Sequence, residues 1–221
     1  MKTLCLFDLD GTLTDSKPGI INAATYALKA AGIKSSEYIG TLESLIGPPI
    51  RDAMRLIHPF SDAEVEEVVR KYRKYYVEKG MLENAVYPGI LELLAKLQNE
   101  GITMAIATSK TQAFAKRIAE HFDFAKYFSV IMGAEPDGTR DRKSELITAV
   151  LEYLGGKENF QSIIMIGDRE YDIIGAQETG IDSIGVTWGY GSVQEFEAAG
   201  AKTVVTSVSQ LYDEIIKKSG L

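Results

Sequence analysis

The sequence predicts an α/β protein: a parallel sheet with helices on both faces and a helical insertion after the first strand. Three observations predict it. From Tyr87 onward, short continuous apolar runs alternate with segments of helical spacing. One more apolar run, residues 2–7, stands apart at the start and can bury itself only by joining the same sheet. Between them, from about Pro18 to Asn84, no strand pattern occurs.

Each element has its own justification. In residues 2–7, Leu4, Cys5, Leu6 and Phe7 form an unbroken apolar run, the mark of a strand buried on both sides. Residues 19–31 predict an alanine-rich helix that stops near Gly32. Residues 62–79 predict another, behind the N-cap Ser61, with Val65, Val68, Val69, Tyr72 and Tyr76 along one face. Pro88 and Gly89 open a helix that reaches Asn99, and ITMAIAT, residues 102–108, is a buried strand. A helix at 112–122, a short strand at 129–132 and a helix at 143–154 follow. Then come a buried strand at 162–166, a helix at 171–179, a strand at 183–187 and a helix at 192–199. KTVVT is a last short strand and 208–218 a last helix. Residues 1–16 and 85–221 are thus the expected core domain and residues 17–84 a helical cap domain. Its ends are expected to leave and return at one edge of the sheet, which the cap covers.

With 221 residues, 45% of them hydrophobic, the chain can bury a sizeable core. Its net charge of −7 argues against a nucleic-acid polymer as partner, which needs a basic footprint, but not against a small anion in a locally positive pocket. The single cysteine, Cys5, rules out an internal disulfide and reads as a buried thiol. The first apolar run is too short for a signal peptide, and no stretch is long enough to span a membrane. A cytoplasmic protein, monomer or homodimer, is expected.

Ligands of open parallel sheets bind beyond the carboxyl ends of the strands. Asp8 and Asp10 follow the first strand, with Gly11 and Thr12 behind them. Thr108, Ser109 and Lys110 follow the second; Asp168 and Asp172 follow IIMIG; Lys143 opens a helix. Each fragment alone has a plain explanation in turns, caps and solvated charge. Together, in order on one rim, they suggest a metal and phosphate site. Asp8, Asp10 and Asp168 are hard oxygen donors suited to Mg²⁺, which would offset their mutual repulsion. Lys143 and the Thr108 hydroxyl suit phosphate oxygens, and Gly11 permits close backbone approach.

At this point the chain resembles a known family. DLDGTLTDS, ATSK, Lys143 and GDREYD resemble the four motifs of the haloacid dehalogenase (HAD) superfamily, and the insertion resembles its C1-type cap. The resemblance covers essentially the whole chain. IGPPIRDAM, KYRKYYVEKG, VYPGILELL and GVTWGYGS resemble the phosphoglycolate phosphatase-like branch, its 5′-nucleotidase-type members above all. This implies a Rossmann-like HAD core and a Mg²⁺-dependent phosphatase of small phosphorylated metabolites, 2-phosphoglycolate or a 5′-nucleotide. It implies that Asp8 is the nucleophile and that Asp10 protonates the leaving oxygen and then deprotonates water. Mg²⁺ would be held by Asp8, the Asp10 carbonyl and Asp168, with Asp172 acting through water. Thr108 and Lys143 would stabilise the transferring phosphoryl group, with Gly11, Thr12, Ser109, Gly47 and Arg51 as substrate contacts. Dehalogenases lack an aspartate at position 10, and the superfamily's transport ATPases carry threonine there. A sugar phosphomutase and a non-catalytic phosphoacceptor module are the alternatives.

The leaving group falls to the cap. Arg51, after the rigid Gly47-Pro48-Pro49 loop, suits a substrate carboxylate or else an ion pair with Asp52 or Glu43. Helical spacing assigns Tyr72, Tyr75 and Tyr76 to cap core rather than to stacking on a base. His58 and His121 read as structural. Gly189-Tyr190-Gly191 reads as a flexible rim loop. Two features depart from the family pattern: EPDGTRDRK lacks a Lys-Pro before Lys143, and Gly167 stands where some relatives carry an acid.

Overall fold

The structure, a computed structural model, describes residues 2–135, 139–140 and 142–221. Of the stretch preceding Lys143, Pro136, Asp137, Gly138 and Asp141 lie outside the described residues. The chain divides into two compact units, Met1–Thr14 with Val86–Leu221, and Asp15–Ala85.

In chain order the elements are β1 (Thr3–Phe7), β2 (Thr14–Asp15), α1 (Lys17–Ala30), α2 (Ile50–Ile57), α3 (Asp62–Tyr75), β3 (Ala85–Val86), α4 (Ile90–Asn99) and β4 (Thr103–Thr111). Then follow α5 (Gln112–His121), β5 (Val130–Ala134), α6 (Lys143–Tyr153), β6 (Ser162–Gly167), α7 (Glu170–Thr179), β7 (Asp182–Val186), α8 (Val193–Ala198), β8 (Val204–Val205) and α9 (Val208–Ser219).

The larger unit is built on a six-stranded sheet of order β5-β4-β1-β6-β7-β8. All its neighbouring strands run parallel. β1 is buried at every residue, as its apolar run requires. Leu4 and Leu6 join Ala105, Ala107, Ile163 and Met165 in a core closed by Leu146, Ile147 and Val150 of α6 and Ala176 of α7. The alternate residues Cys5, Phe7, Met104, Ile106, Ile164 and Ile166 are equally buried, so the sheet is covered on its other face too.

The expectation that the insertion leaves from an edge of the sheet is corrected here. β1 lies inside the sheet, between β4 and β6. A strand without polar alternation is stable only where both faces and both sides are covered. After β1 the chain continues to β4 and β5 on one side, then returns to β6 on the other. This reversal opens a crevice at the carboxyl ends of β1 and β6, where open α/β sheets place ligands.

The smaller unit is helical. α1 starts at Lys17, two residues earlier than expected, because Pro18 fits the first turn, where a helix needs no N–H bond. Ser61 caps α3, accepting from the backbone N–H of Glu64, whose carboxylate accepts from Ser61 N in return. α3 ends at Tyr75 and one wider turn, Tyr76–Gly80, completes the predicted segment. Val65, Val68, Val69, Tyr72 and Tyr76 are buried, with the Tyr72 and Tyr76 rings stacked 5.6 Å apart.

Candidate active site

β1 and β6 deliver their next residues, Asp8 and Asp168, side by side: Asp8 N donates to the Ile166 carbonyl at 2.9 Å. Asp172 sits in the first turn of α7, where its carboxylate accepts from Arg169 N at 3.1 Å and meets the positive end of the helix. One oxygen from each of Asp8, Asp168 and Asp172 falls within 4.8 Å of the others. Asp168 and Asp172 are essentially inaccessible to solvent.

The first residue of α6 is Lys143, which reaches this cluster and is itself buried. Its ammonium lies 3.1 Å from Asp8 Oδ1 and 2.8 Å from Asp172 Oδ1, and donates to the Ala107 carbonyl at 2.9 Å. The Ala107 carbonyl takes one of its N–H donors, and the two carboxylates lie at ion-pair distance. The neighbouring Arg142 is exposed and faces Glu178, so the helix register selects Lys143.

Burial is the largest cause pushing both inner acids up. Asp168 is raised well above the usual carboxylate range by desolvation, then by the charges of Asp8 and Asp172; Tyr190 N and the Thr12 hydroxyl pull partly the other way. Asp172 is pushed up to about 6 by burial, against the pull of Lys143. Burial lowers the Lys143 pKa, but the Asp172 and Asp8 carboxylates more than reverse this, and it stays charged. Three carboxylates face one ammonium here, leaving two negative charges once all are ionised. That deficit, held by clustered oxygen atoms, fits a divalent cation with oxygen ligands.

Asp10 has a different partner. Its Oδ2 is ion-paired with Lys110, both side chains being largely buried. Lys110 lies in the part of β4, between Thr108 and Thr111, where the register with β5 shifts. The Thr108 hydroxyl, 2% exposed as a residue, accepts from Lys110 N at 3.3 Å, and Ser109 is half-buried beside it.

Thr12, expected at the substrate, is buried, and its hydroxyl donates to Asp168 Oδ1 at 3.1 Å. Gly11 adopts φ +84°, and a Cβ there would strike the Asp168 carboxylate. Gly167 leaves room for the Asp172 carboxylate, which explains why no acid stands at this position.

The Gly189-Tyr190-Gly191 segment, expected to be a flexible loop, is instead packed onto the site. Tyr190 N donates to Asp168 Oδ2 at 2.8 Å, and a Cβ at either glycine would collide with Gly11 or Asp168. Next to it the Trp188 indole N–H donates to the Thr12 carbonyl at 3.1 Å. From the sequence, Lys110 is placed on the rim without a role and Tyr190 only as part of a flexible rim loop; Trp188 is passed over. The paired glycines around Tyr190 were the available signal, since close backbone approach excludes side chains.

In the smaller unit, Gly47 has φ +113° and Arg51 makes a two-pronged pair with Glu66, Nη2 to Oε2 at 3.2 Å. Of the two partners expected for it, Asp52 faces Arg55 and Glu43 faces Lys17. Tyr75, half-buried, donates to Glu83 at 3.0 Å. His58 and His121 rest on Phe60 and Phe122, both at ring distances of 4.8 Å.

Comparison with known proteins agrees with this geometry. A family model described as haloacid dehalogenase-like hydrolase matches residues 5–186. A protein named 5′-nucleotidase from Pseudomonas aeruginosa is 42% identical over 87% of this chain and 86% of its own. A protein named tyrosine-protein kinase PtkA from Mycobacterium tuberculosis is 37% identical over 99% of this chain and 72% of its own. A phosphoglycolate phosphatase from Agrobacterium fabrum is 31% identical over 89% and 85%. Among solved structures, a predicted phosphatase from Clostridium acetobutylicum superimposes with a TM-score of 0.90 at 40% identity, covering 98% of this chain and 99% of that one. With its parallel sheet, its acids on neighbouring strand ends and its buried lysine, the chain belongs to the haloacid dehalogenase-like hydrolase family.

Proposed function

We propose that the protein is a Mg²⁺-dependent phosphatase that hydrolyses small phosphomonoesters through an aspartyl phosphate on Asp8. The observation that carries this reading is the bridging of Asp8 and Asp172 by the buried Lys143 ammonium, with one oxygen each of Asp8, Asp168 and Asp172 within 4.8 Å of the others. Asp8, Asp168 and the Asp10 carbonyl would hold Mg²⁺, with Asp172 behind them. When bound, the cation neutralises the charge on the phosphoryl oxygens. Lys143 holds the Asp8 carboxylate in position for attack at phosphorus. Thr108, Ser109 and the Gly11 backbone are the near contacts for the phosphoryl group. Asp10 gives a proton to the leaving oxygen, then takes one from the water that cleaves the Asp8 ester. Positioning and charge neutralisation supply most of the rate, as phosphoryl transfer requires.

Within this reading the substrate is 2-phosphoglycolate or a 5′-nucleotide, in keeping with the names of the relatives. Arg51 would leave Glu66 to bind a substrate carboxylate, which favours the first. The test is phosphate release from p-nitrophenyl phosphate with and without Mg²⁺, followed by a panel holding both substrate types. Asp8→Asn is expected to lower turnover by about 10³-fold or more; activity surviving in that variant would refute the mechanism. Isomerisation of a hexose 1-phosphate would point to a mutase, and a stable phosphoprotein without turnover to a phosphoacceptor.

A further inference from the structure

The geometry points to Lys110 as a positioning residue that orients Asp10 for proton transfer, an inference that rests on the phosphatase reading above. The two side chains are 100 residues apart in sequence and only 7% and 17% exposed, yet they meet as an ion pair at Asp10 Oδ2. The contact is built into the backbone. β4 breaks register between Thr108 and Thr111, and the Thr108 hydroxyl accepts the Lys110 N–H, which fixes where the lysine begins.

Asp10 Oδ1 is buried and has no hydrogen-bond partner among the described residues. A buried carboxylate oxygen without a donor is costly and is kept where a ligand supplies the missing bond. One oxygen is therefore tethered and the other is left for a proton. An ammonium N–H can donate to Oδ2 whether the carboxyl is ionised or protonated, so the tether holds through both half-reactions. In the first, Asp8 forms a bond to phosphorus, the bond from phosphorus to the leaving oxygen breaks, and the Oδ1 proton passes to that oxygen. In the second, water attacks phosphorus, the bond from phosphorus to Asp8 breaks, and the proton from water returns to Oδ1. Without the tether the carboxyl can turn away, and the loss falls on substrates whose leaving group needs the proton.

The experiment measures single-turnover phosphorylation of the full-length enzyme in Mg²⁺ with esters of rising leaving-group pKa, from p-nitrophenyl to alkyl phosphates. Wild type is compared with Lys110→Met, Lys110→Gln, Lys110→Arg and Asp10→Asn. The expected result is that Lys110→Met lowers the alkyl-ester rate about a hundredfold more than the nitrophenyl rate. Asp10→Asn should show the same pattern, Lys110→Arg should restore most of the loss, and KM should change little. If Lys110→Met does not fold, Lys110→Gln carries the same expectation. Equal losses for all leaving groups, or a loss confined to KM, would overturn the inference and make Lys110 a structural or substrate-binding residue. An Asp10→Asn enzyme with no leaving-group dependence would instead overturn the role of Asp10 itself.

Discussion

In the larger unit Asp168, Asp172 and Lys143 are nearly inaccessible; Lys143 pairs with Asp172 and Asp8, and Asp168 accepts from the Tyr190 backbone. In the smaller unit Arg51, Arg55 and Arg70 meet Glu66, Asp62 and Glu67 on the outer faces of helices. Both regions are rich in ion pairs, and they obey different physics. Water screens the second set, so each pair contributes little and can be exchanged. The first set has lost its water; any unpaired charge there must find a counter-ion, a proton or a cation. Buried charge that folding does not need is where chemistry is to be sought.

The sharpest way to break this comparison is Lys143→Met. It should lower kcat by about 10²–10³-fold. It should also destabilise the fold by about 3–5 kcal/mol, because two carboxylates lose their partner. Steady-state kinetics and denaturant unfolding read both effects. A stable, active variant would show that this lysine is no more than another surface charge.

A smaller effect comes from pH. Asp172 has a native pKa of about 6, above that of the unfolded chain. Between about pH 4 and pH 6 the native state therefore holds a proton that the unfolded chain has released, and raising the pH costs stability across that window. Asp168 is shifted in the same direction. In EDTA, wild type should lose on the order of 2–3 kcal/mol relative to Asp172→Asn between those limits. Mg²⁺ should shrink the difference, since a bound cation favours the ionised acids. Unfolding curves at pH 4, 5 and 6, with and without the metal, check the sign.

The smallest expected change is in the other region. Arg51→Ala should leave the melting temperature within about 2 °C of wild type, because its partner Glu66 is solvated. KM for a carboxylate-bearing ester should nevertheless rise, with little change for p-nitrophenyl phosphate. A large drop in melting temperature would show that the pair with Glu66 is structural.

How much of this was legible follows from the range of each interaction. β1 and β6 announced themselves as unbroken apolar runs, and Asp8 and Asp168 directly follow them. Strand order was less accessible, because an apolar run shows burial but not which strand lies beside it; hence the misplaced edge. The partner of Lys110 was not legible at all. ATSK is consistent with a cap for α5, and nothing local in it shows that the lysine meets Asp10, 100 residues away. Tyr190 acts through its backbone N–H, which carries no side-chain signature. Arg51 had acidic candidates near it in sequence, but helix packing brought it Glu66.

Taken by itself, the amino-acid order determined the strands, the helices and the acids and lysine at their ends, because hydrophobic periodicity and motif spacing are local properties of a chain. Only the tertiary structure decided that β1 lies inside the sheet, that Lys143 lies between Asp8 and Asp172, and that Lys110 takes one oxygen of Asp10 and leaves the other buried. Those are pairings between residues far apart in sequence, and their energies depend on burial and distance, which exist only once the chain has folded.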